Sequence, residues 1–274
     1  RADVVTIERP WGEAFSLDEL EQALAQHRPA ILAIVHAETS TGICQPMEGV
    51  GDLCRKYDCL LLLDTVTSLG AVPLYLDEWK VDLAYSCSQK GLSCPPGLGP
   101  FTMGPRAEAK MMGRTGKVPN WYLDVTLLNQ YWGSDRVYHH TAPVNMNFGM
   151  REALRLLAEE GLENSWSRHR SNAELLWAGL ERLGLELHAP EHLRLPTLTT
   201  VRIPEGVDGK AFTLHLLNKH GIEVGGGLGA LAGKVWRIGL MGYNSQPQNV
   251  ERLLNLFETE LPAFKGSAPV AVVA

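Results

Sequence analysis

The run Cys59-Leu-Leu-Leu-Leu-Asp64 is apolar at every position until its last residue, which is a carboxylate. A strand with one wet face alternates apolar and polar residues, so a strand apolar throughout has to be shielded on both faces. The same reading applies to Ala30–His36 (AILAIVH), and weaker versions appear at Val81–Ser86 and Gly99–Met103. Helical patterns separate these strands. Ser16-Leu-Asp-Glu19 is a capping box, in which the Ser oxygen takes a free amide and the Glu returns to the cap. It opens a helix to about His27 with Leu17, Leu20, Ala23 and Leu24 on one face, and a second helix is predicted over Met47–Tyr57. Apolar strands separated by helices predict βαβ units: an α/β chain with a mostly parallel sheet covered on both sides.

From Met150 the pattern changes. Arg151–Glu160 and Glu163–Leu183 read as helices with Gly161 as a bend between them. A strand (Leu198–Ile203), a helix (Gly209–His220), a strand (Val235–Leu240) and a last helix (Pro247–Leu261) follow. That order predicts a smaller C-terminal α+β domain. The boundary is placed near Gly161–Glu163, giving domains 1–162 and 163–274.

Composition narrows the function classes. Hydrophobic residues make up 45% and charged ones 20%, which excludes disordered, collagenous and disulfide-scaffold chains. No apolar run approaches the roughly 18 residues a membrane span needs. A net charge of −6 without a Lys/Arg stripe argues against nucleic acid as a partner. Five cysteines, an odd number with no CxxC pair, predict reduced packed thiols and a cytoplasmic setting. An organelle such as a peroxisome or mitochondrion is the alternative, although neither the Arg-Ala-Asp start nor the Val-Ala-Val-Val-Ala end carries a targeting signal.

Chemistry is expected at the C-terminal ends of the parallel strands, where open α/β sheets bind ligands. His36–Gly42, Asp64–Ser68 and Ser86–Gly91 follow three such strands. Asp64 ends a run of four leucines, so it is expected to face a cation, with a helix cap or a buried ion pair as the structural alternative. Lys90 lies on a turn followed by Gly91 and Pro95-Pro96-Gly97, and a lysine so held can form a Schiff base. The two stand 26 residues apart at the ends of consecutive strands, an arrangement that suits pyridoxal phosphate. Arg237 sits in the apolar Val-Trp-Arg-Ile-Gly-Leu, where its planar fork needs a carboxylate from a substrate or from an internal Asp or Glu.

Several competing motifs fail. His36-Ala-Glu38 lacks the Pro-Cys-x-x-Cys partner of zinc deaminases, and no phosphate-binding G-x-x-x-x-G-K-[ST] exists. Gly225-Gly-Gly-Leu-Gly229 only imitates a dinucleotide fingerprint and is expected to be a flexible loop. His139 and His140, read as strand neighbours, would point apart, and no metal ligands are assigned.

The segments LLLLDTVTSLGAVPL, VDLAYSCSQKGLSCPPGLG, YHHTAPV and GKVWRIGLMG resemble the class V aminotransferases of fold type I, over nearly the whole chain. The similarity is greatest to the alanine–glyoxylate and serine–pyruvate aminotransferases. That resemblance implies that Lys90 is the Schiff-base lysine and Asp64 the partner of the pyridinium nitrogen. It places Val66 on the ring face, Thr39 toward the ring 3-hydroxyl, Gln89 at the cofactor phosphate and Arg237 at the substrate carboxylate. Tyr138 and Thr141 would reach the phosphate in the neighbouring subunit of a homodimer. The aromatic-rich segment Asn129–Thr141 reads as a loop, which suits an interface or an intramolecular lid. The chain is expected to lack on the order of a hundred residues N-terminal to it, including the family's phosphate loop and ring-stacking aromatic. Small amino acids and 2-oxo acids are the implied substrates. The alternatives are a same-fold cysteine desulfurase or lyase using Cys87 or Cys94, a hydroxykynurenine transaminase, and an inactive fragment serving as an interaction module.

Overall fold

In the computed structural model, which describes residues 3–266, helix and strand alternate through the first part of the chain. The elements are α1 (Leu17–His27), β1 (Ile31–Val35), β2 (Ala37–Glu38), β3 (Ile43–Cys44), α2 (Val50–Lys56), β4 (Leu60–Asp64), β5 (Leu83–Tyr85) and β6 (Phe101–Met103). The capping box closes as expected. Ser16 Oγ accepts the Glu19 N–H, and the Glu19 carboxylate accepts the Ser16 N–H at 2.9 Å. Strands β1, β4 and β5 run parallel in that order, and β6 adds an antiparallel edge. Their register sets Val35, Asp64 and Tyr85 side by side where the three parallel strands end.

Helices cover only one face of this sheet among the described residues. Leu20 and Leu24 of α1, with Val50 and Cys54 of α2, pack on Ile34, Leu61, Leu63 and Ala84. The opposite face carries Ile31, Val35, Tyr85 and Phe101, all exposed by 36–50%. It borders a cleft of about 900 Å³ that the segment from Asp3 to Phe15 also lines. The described residues thus supply helical cover to one face, where cover on both was expected. The unbroken leucines of β4 follow from its central place, where β1 and β5 shield Leu60 and Leu62 from either side.

The middle of the chain is more helical than its sequence suggests. It forms α3 (Pro105–Met112), α4 (Val125–Trp132), α5 (Val144–Glu160) and α6 (Leu162–Arg182). Helix α5 begins seven residues ahead of the expected Arg151. Asn129–Trp132, expected as loop, closes α4, whose first turn is capped by the Asp124 carboxylate. Gly161, at φ 85°, separates α5 from α6 as predicted. His139 and His140 are not in a strand, and their Nδ1 atoms approach to 2.9 Å instead of pointing apart.

The last part holds β7 (Leu198–Arg202), α7 (Gly209–His220), β8 (Gly225–Gly226), β9 (Val235–Gly239) and α8 (Pro247–Glu260). Its sheet is antiparallel in the order β7-β9-β8. Gly225 and Gly226, expected as a flexible loop, form its edge strand beside Arg237 and Trp236. Leu176 and Leu180 of α6 pack with Phe212, Trp236, Leu254 and Phe257 in a second core. The two parts are stitched directly together. Thr197 Oγ1 donates to the Thr67 carbonyl at 3.1 Å, and Thr200 Oγ1 to the Thr41 carbonyl at 2.6 Å. At Gly42, with φ +77°, a Cβ would come within 2.8 Å of Thr200 Oγ1, so this crossing requires glycine.

Candidate functional site

Asp64 is half-buried at the end of β4, and both its oxygens accept neutral donors. The Val66 N–H binds Oδ1 at 2.8 Å, and the Tyr85 hydroxyl binds Oδ2 at 2.6 Å. No cation of the chain pairs with Asp64 among the described residues, so the buried ion-pair alternative does not hold and these two neutral donors satisfy the carboxylate. The Tyr85 proton is held by that hydrogen bond, which pushes the phenol up to about 12. Tyr85 escaped the sequence reading. Only the strand register shows that it lies beside Asp64.

Lys90 sits on an irregular turn five residues after β5 ends. Buried Ser88 organises that turn: its N–H donates to the Leu98 carbonyl at 3.0 Å and its hydroxyl to the Pro95 carbonyl at 2.7 Å. In return the Cys94 N–H donates to the Ser88 carbonyl at 3.0 Å. Gly91 presses on the loop after β4, where a Cβ would meet the Leu69 carbonyl oxygen at 2.3 Å. From the C-terminal part, the Tyr243 N–H reaches Ser93 Oγ at 2.7 Å. The backbone around Lys90 is therefore fixed from three sides. Its half-buried side chain makes no ion pair or hydrogen bond among the described residues.

The other expected residues fall into small groups. Arg237 Nε donates to the Gly226 carbonyl at 2.7 Å, and its NH1 to the Thr39 carbonyl at 3.3 Å. The structure thus joins Arg237 to Thr39, and no acidic side chain pairs with this half-buried guanidinium among the described residues. The Tyr138 hydroxyl and Thr141 Oγ1 lie 3.0 Å apart on an exposed segment. Gln89 is exposed beside Lys90, and Val66 is half-buried next to Asp64. Cys87, the reactive thiol of the desulfurase alternative, donates weakly to the Val66 carbonyl, while Cys94 is buried. No hydrogen bond or ion pair links Lys90 to Asp64, or the Tyr138–Thr141 pair to either, among the described residues. Asp64, Glu38, Ser40 and Thr41 line the 900 Å³ cleft, and Lys90 does not.

A buried histidine supports the Lys90 turn indirectly. His169 of α6 donates from Nδ1 to the Ser165 carbonyl at 2.7 Å and accepts the Gly242 N–H on Nε2 at 2.9 Å. Gly242 precedes Tyr243, which holds Ser93. Burial lowers His169 to about 4, and the same cause lowers His36 to about 4. Both pKa values fall on folding, so the unfolded chain takes up protons first. Their stabilising contribution is complete above about pH 6.5 and is lost as pH falls toward 4. Urea unfolding is expected to show stability declining by about 1.4 kcal/mol per pH unit for each histidine across that window. A flat profile between pH 7 and 4.5 would contradict the assignment.

Residues 1–253 match the Aminotransferase class-V family. The alanine–glyoxylate aminotransferase of Callithrix jacchus is 47% identical over 244 residues, covering 88% of this chain and 59% of its own length. The (S)-ureidoglycine–glyoxylate transaminase of Bacillus subtilis (strain 168) is 36% identical, covering 91% of this chain and 64% of its own. A crystal structure of an alanine–glyoxylate aminotransferase from Nostoc sp. superposes with a TM-score of 0.92 at 65% identity, covering 94% of this chain and 68% of that one. The chain spans about three fifths of the length of the two curated relatives. No helix among the described residues is long and apolar enough to cross a membrane. By family match and by its fold type I architecture, the chain belongs to the class V aminotransferases.

Proposed function

We propose that the protein transfers an amino group from a small L-amino acid, alanine or serine, to a 2-oxo acid, glyoxylate or pyruvate, with pyridoxal phosphate as cofactor. One observation carries the reading: two half-buried cations, Lys90 and Arg237, have no acidic partner among the described residues. A partly desolvated cation that its own chain leaves unneutralised is suited to a ligand's charge. Relatives named for glyoxylate support that acceptor.

The residues present fit the cofactor. Lys90 offers a free amine to its aldehyde and Asp64 a carboxylate to its ring nitrogen. Val66 would lie against the ring, Thr39 near the 3-hydroxyl, and Gln89 at the phosphate. Bound pyridoxal phosphate supplies an aldehyde for amine capture and a ring that draws electrons from the substrate Cα. The chain's own residues do the rest. Arg237 would orient the substrate carboxylate, Lys90 Nζ would take the Cα proton as general base and deliver it as general acid to the cofactor's former aldehyde carbon, and Asp64 would supply the negative charge facing the ring nitrogen. Tyr85 keeps Asp64 in place through its 2.6 Å hydrogen bond.

In this reading residues 1–162 hold the cofactor, and residues 163–274 bring the carboxylate clamp. A homodimer would place Tyr138 and Thr141 at the partner's phosphate site. The exposure of Trp121, Leu123, Trp132, Tyr138 and Phe148, each above 50%, supports burial there by a second subunit. Five free cysteines agree with a reducing, cytoplasmic setting.

Borohydride reduction of the cofactor-loaded full-length protein, followed by peptide mapping, tests the proposal. The label is expected on Lys90, and label on another lysine would overturn the assignment. Arg237→Gln is expected to raise KM for donor and acceptor about 30- to 100-fold, the loss of roughly 2–3 kcal/mol of charge-assisted hydrogen bonding. Steady-state kinetics with an unchanged KM would remove Arg237 from the carboxylate site.

A further inference from the structure

Outside that site, the ends of two helices bring three metal-ligating side chains to one point. His215 lies in α7, His220 is its last residue, and Glu260 is the last residue of α8. One ligand atom from each lies within 4.8 Å of the others, and all three side chains are half-buried. Both histidines turn Nε2 toward the same carboxylate: His220 stands 2.8 Å from Glu260 Oε1, and His215 contacts Oε2. The Phe264 ring, 5.1 Å from the His215 ring, closes one side. We propose that His215, His220 and Glu260 form a binding site for one divalent transition cation of the zinc class (Zn²⁺, Co²⁺ or Ni²⁺).

The ligand chemistry selects the ion. Two imidazoles and one carboxylate are the donors of zinc-class sites, whereas Ca²⁺ and Mg²⁺ take all-oxygen shells. Metal–ligand bonds of about 2.0–2.2 Å in a tetrahedron put ligand atoms about 3.4 Å apart. The three side chains already bracket that spacing, so small rotations complete the set and leave a fourth position for water. A salt-bridge cluster is the competing account, because Lys219 Nζ also lies 3.0 and 3.1 Å from the Glu260 oxygens. Yet the Lys219 side chain is 57% exposed on a flexible stem, and it can swing into solvent when the ion arrives. Metal ligation uses the neutral imidazole and the ionised carboxylate. The ion would tie the last turn of α7 to the last turn of α8.

Co²⁺ titration of the chelator-stripped full chain tests this, read by visible absorption and thermal melting and independent of any transaminase activity. Wild type and Lys219→Ala are expected to bind one Co²⁺ per chain, with four-coordinate bands free of thiolate charge transfer and a raised Tm. His215→Ala with His220→Ala, and Glu260→Gln separately, should weaken binding by about tenfold or more and abolish the Tm gain, while replacing an exposed histidine outside the cluster, His192→Ala, leaves both intact. Melting curves without metal show whether each variant is folded. Equal uptake by the double histidine variant, bands of thiolate origin, loss of binding in Lys219→Ala, or no binding by wild type would overturn the site.

Discussion

Lys90→Ala in the full-length protein is expected to lower kcat/KM for transamination by at least about 10⁴-fold, with thermal stability nearly unchanged. The magnitude follows from removing the group that both holds the cofactor and moves the proton, since general acid–base catalysis alone contributes about 10²–10⁴. Stability is spared because the turn is held by backbone and Ser88 hydrogen bonds rather than by the lysine side chain. Activity within tenfold of wild type would remove Lys90 from the chemistry. The same variant tests the shared site when it is mixed with an inactive Tyr138→Ala protein. If Tyr138 serves the partner subunit, heterodimers contain one intact site and regain part of the activity, provided a tag assay shows subunit exchange. No recovery despite exchange would assign Tyr138 to its own subunit.

The largest stability loss is expected at Asp82, which carries no proposed chemistry. Its carboxylate is 2% exposed and accepts the Leu61 N–H at 2.9 Å, Arg106 at 3.1 Å and Arg55 at 3.2 Å. Its own N–H returns to the Leu61 carbonyl at 3.0 Å, so this residue ties the entrance of β5 to β4. Asp82→Ala would leave the buried Leu61 amide without its acceptor and take the buried counter-charge from Arg55 and Arg106, which keep only the Lys80 and Cys59 carbonyls and the exposed Asp58. Breaking a buried pair costs about 3–5 kcal/mol, and the partial exposure of both arginines places this case near 3. Asp82→Asn keeps an acceptor for Leu61 and should lose less. Denaturant unfolding that gave below about 1 kcal/mol for the alanine variant would show that the arginines are adequately solvated without it.

Much of the fold was legible in the chain because local signals and tertiary demands agree. The capping box opened α1 where Ser16 and Glu19 predicted it, and β4 carried the leucines that a central strand requires. Gly161 broke the long helical stretch because its φ of 85° disfavours other residues. At the proposed site, residue type and order mark Lys90, Asp64 and Arg237 as candidates, because each is polar where its surroundings are apolar or tightly turned.

Other features arise only when distant segments meet. Tyr85 became the partner of Asp64 through strand register, a relation that spans 21 residues and has no local motif. Arg237 found Thr39 across 198 residues, and His169 reached Gly242 across 73. The same holds for His215, His220 and Glu260, whose last member arrives from a separate helix 40 residues on. Among the described residues helices shield one face of the parallel sheet, although the leucine run suggested two. The reason is physical. Apolarity records how far a residue is removed from water, and neighbouring strands, packed helices and the edge of a cleft can all supply that removal. The sequence by itself therefore determined the family, the strands of the parallel sheet and the start of α1, and tertiary structure alone decided which atoms face one another across the strands and helices.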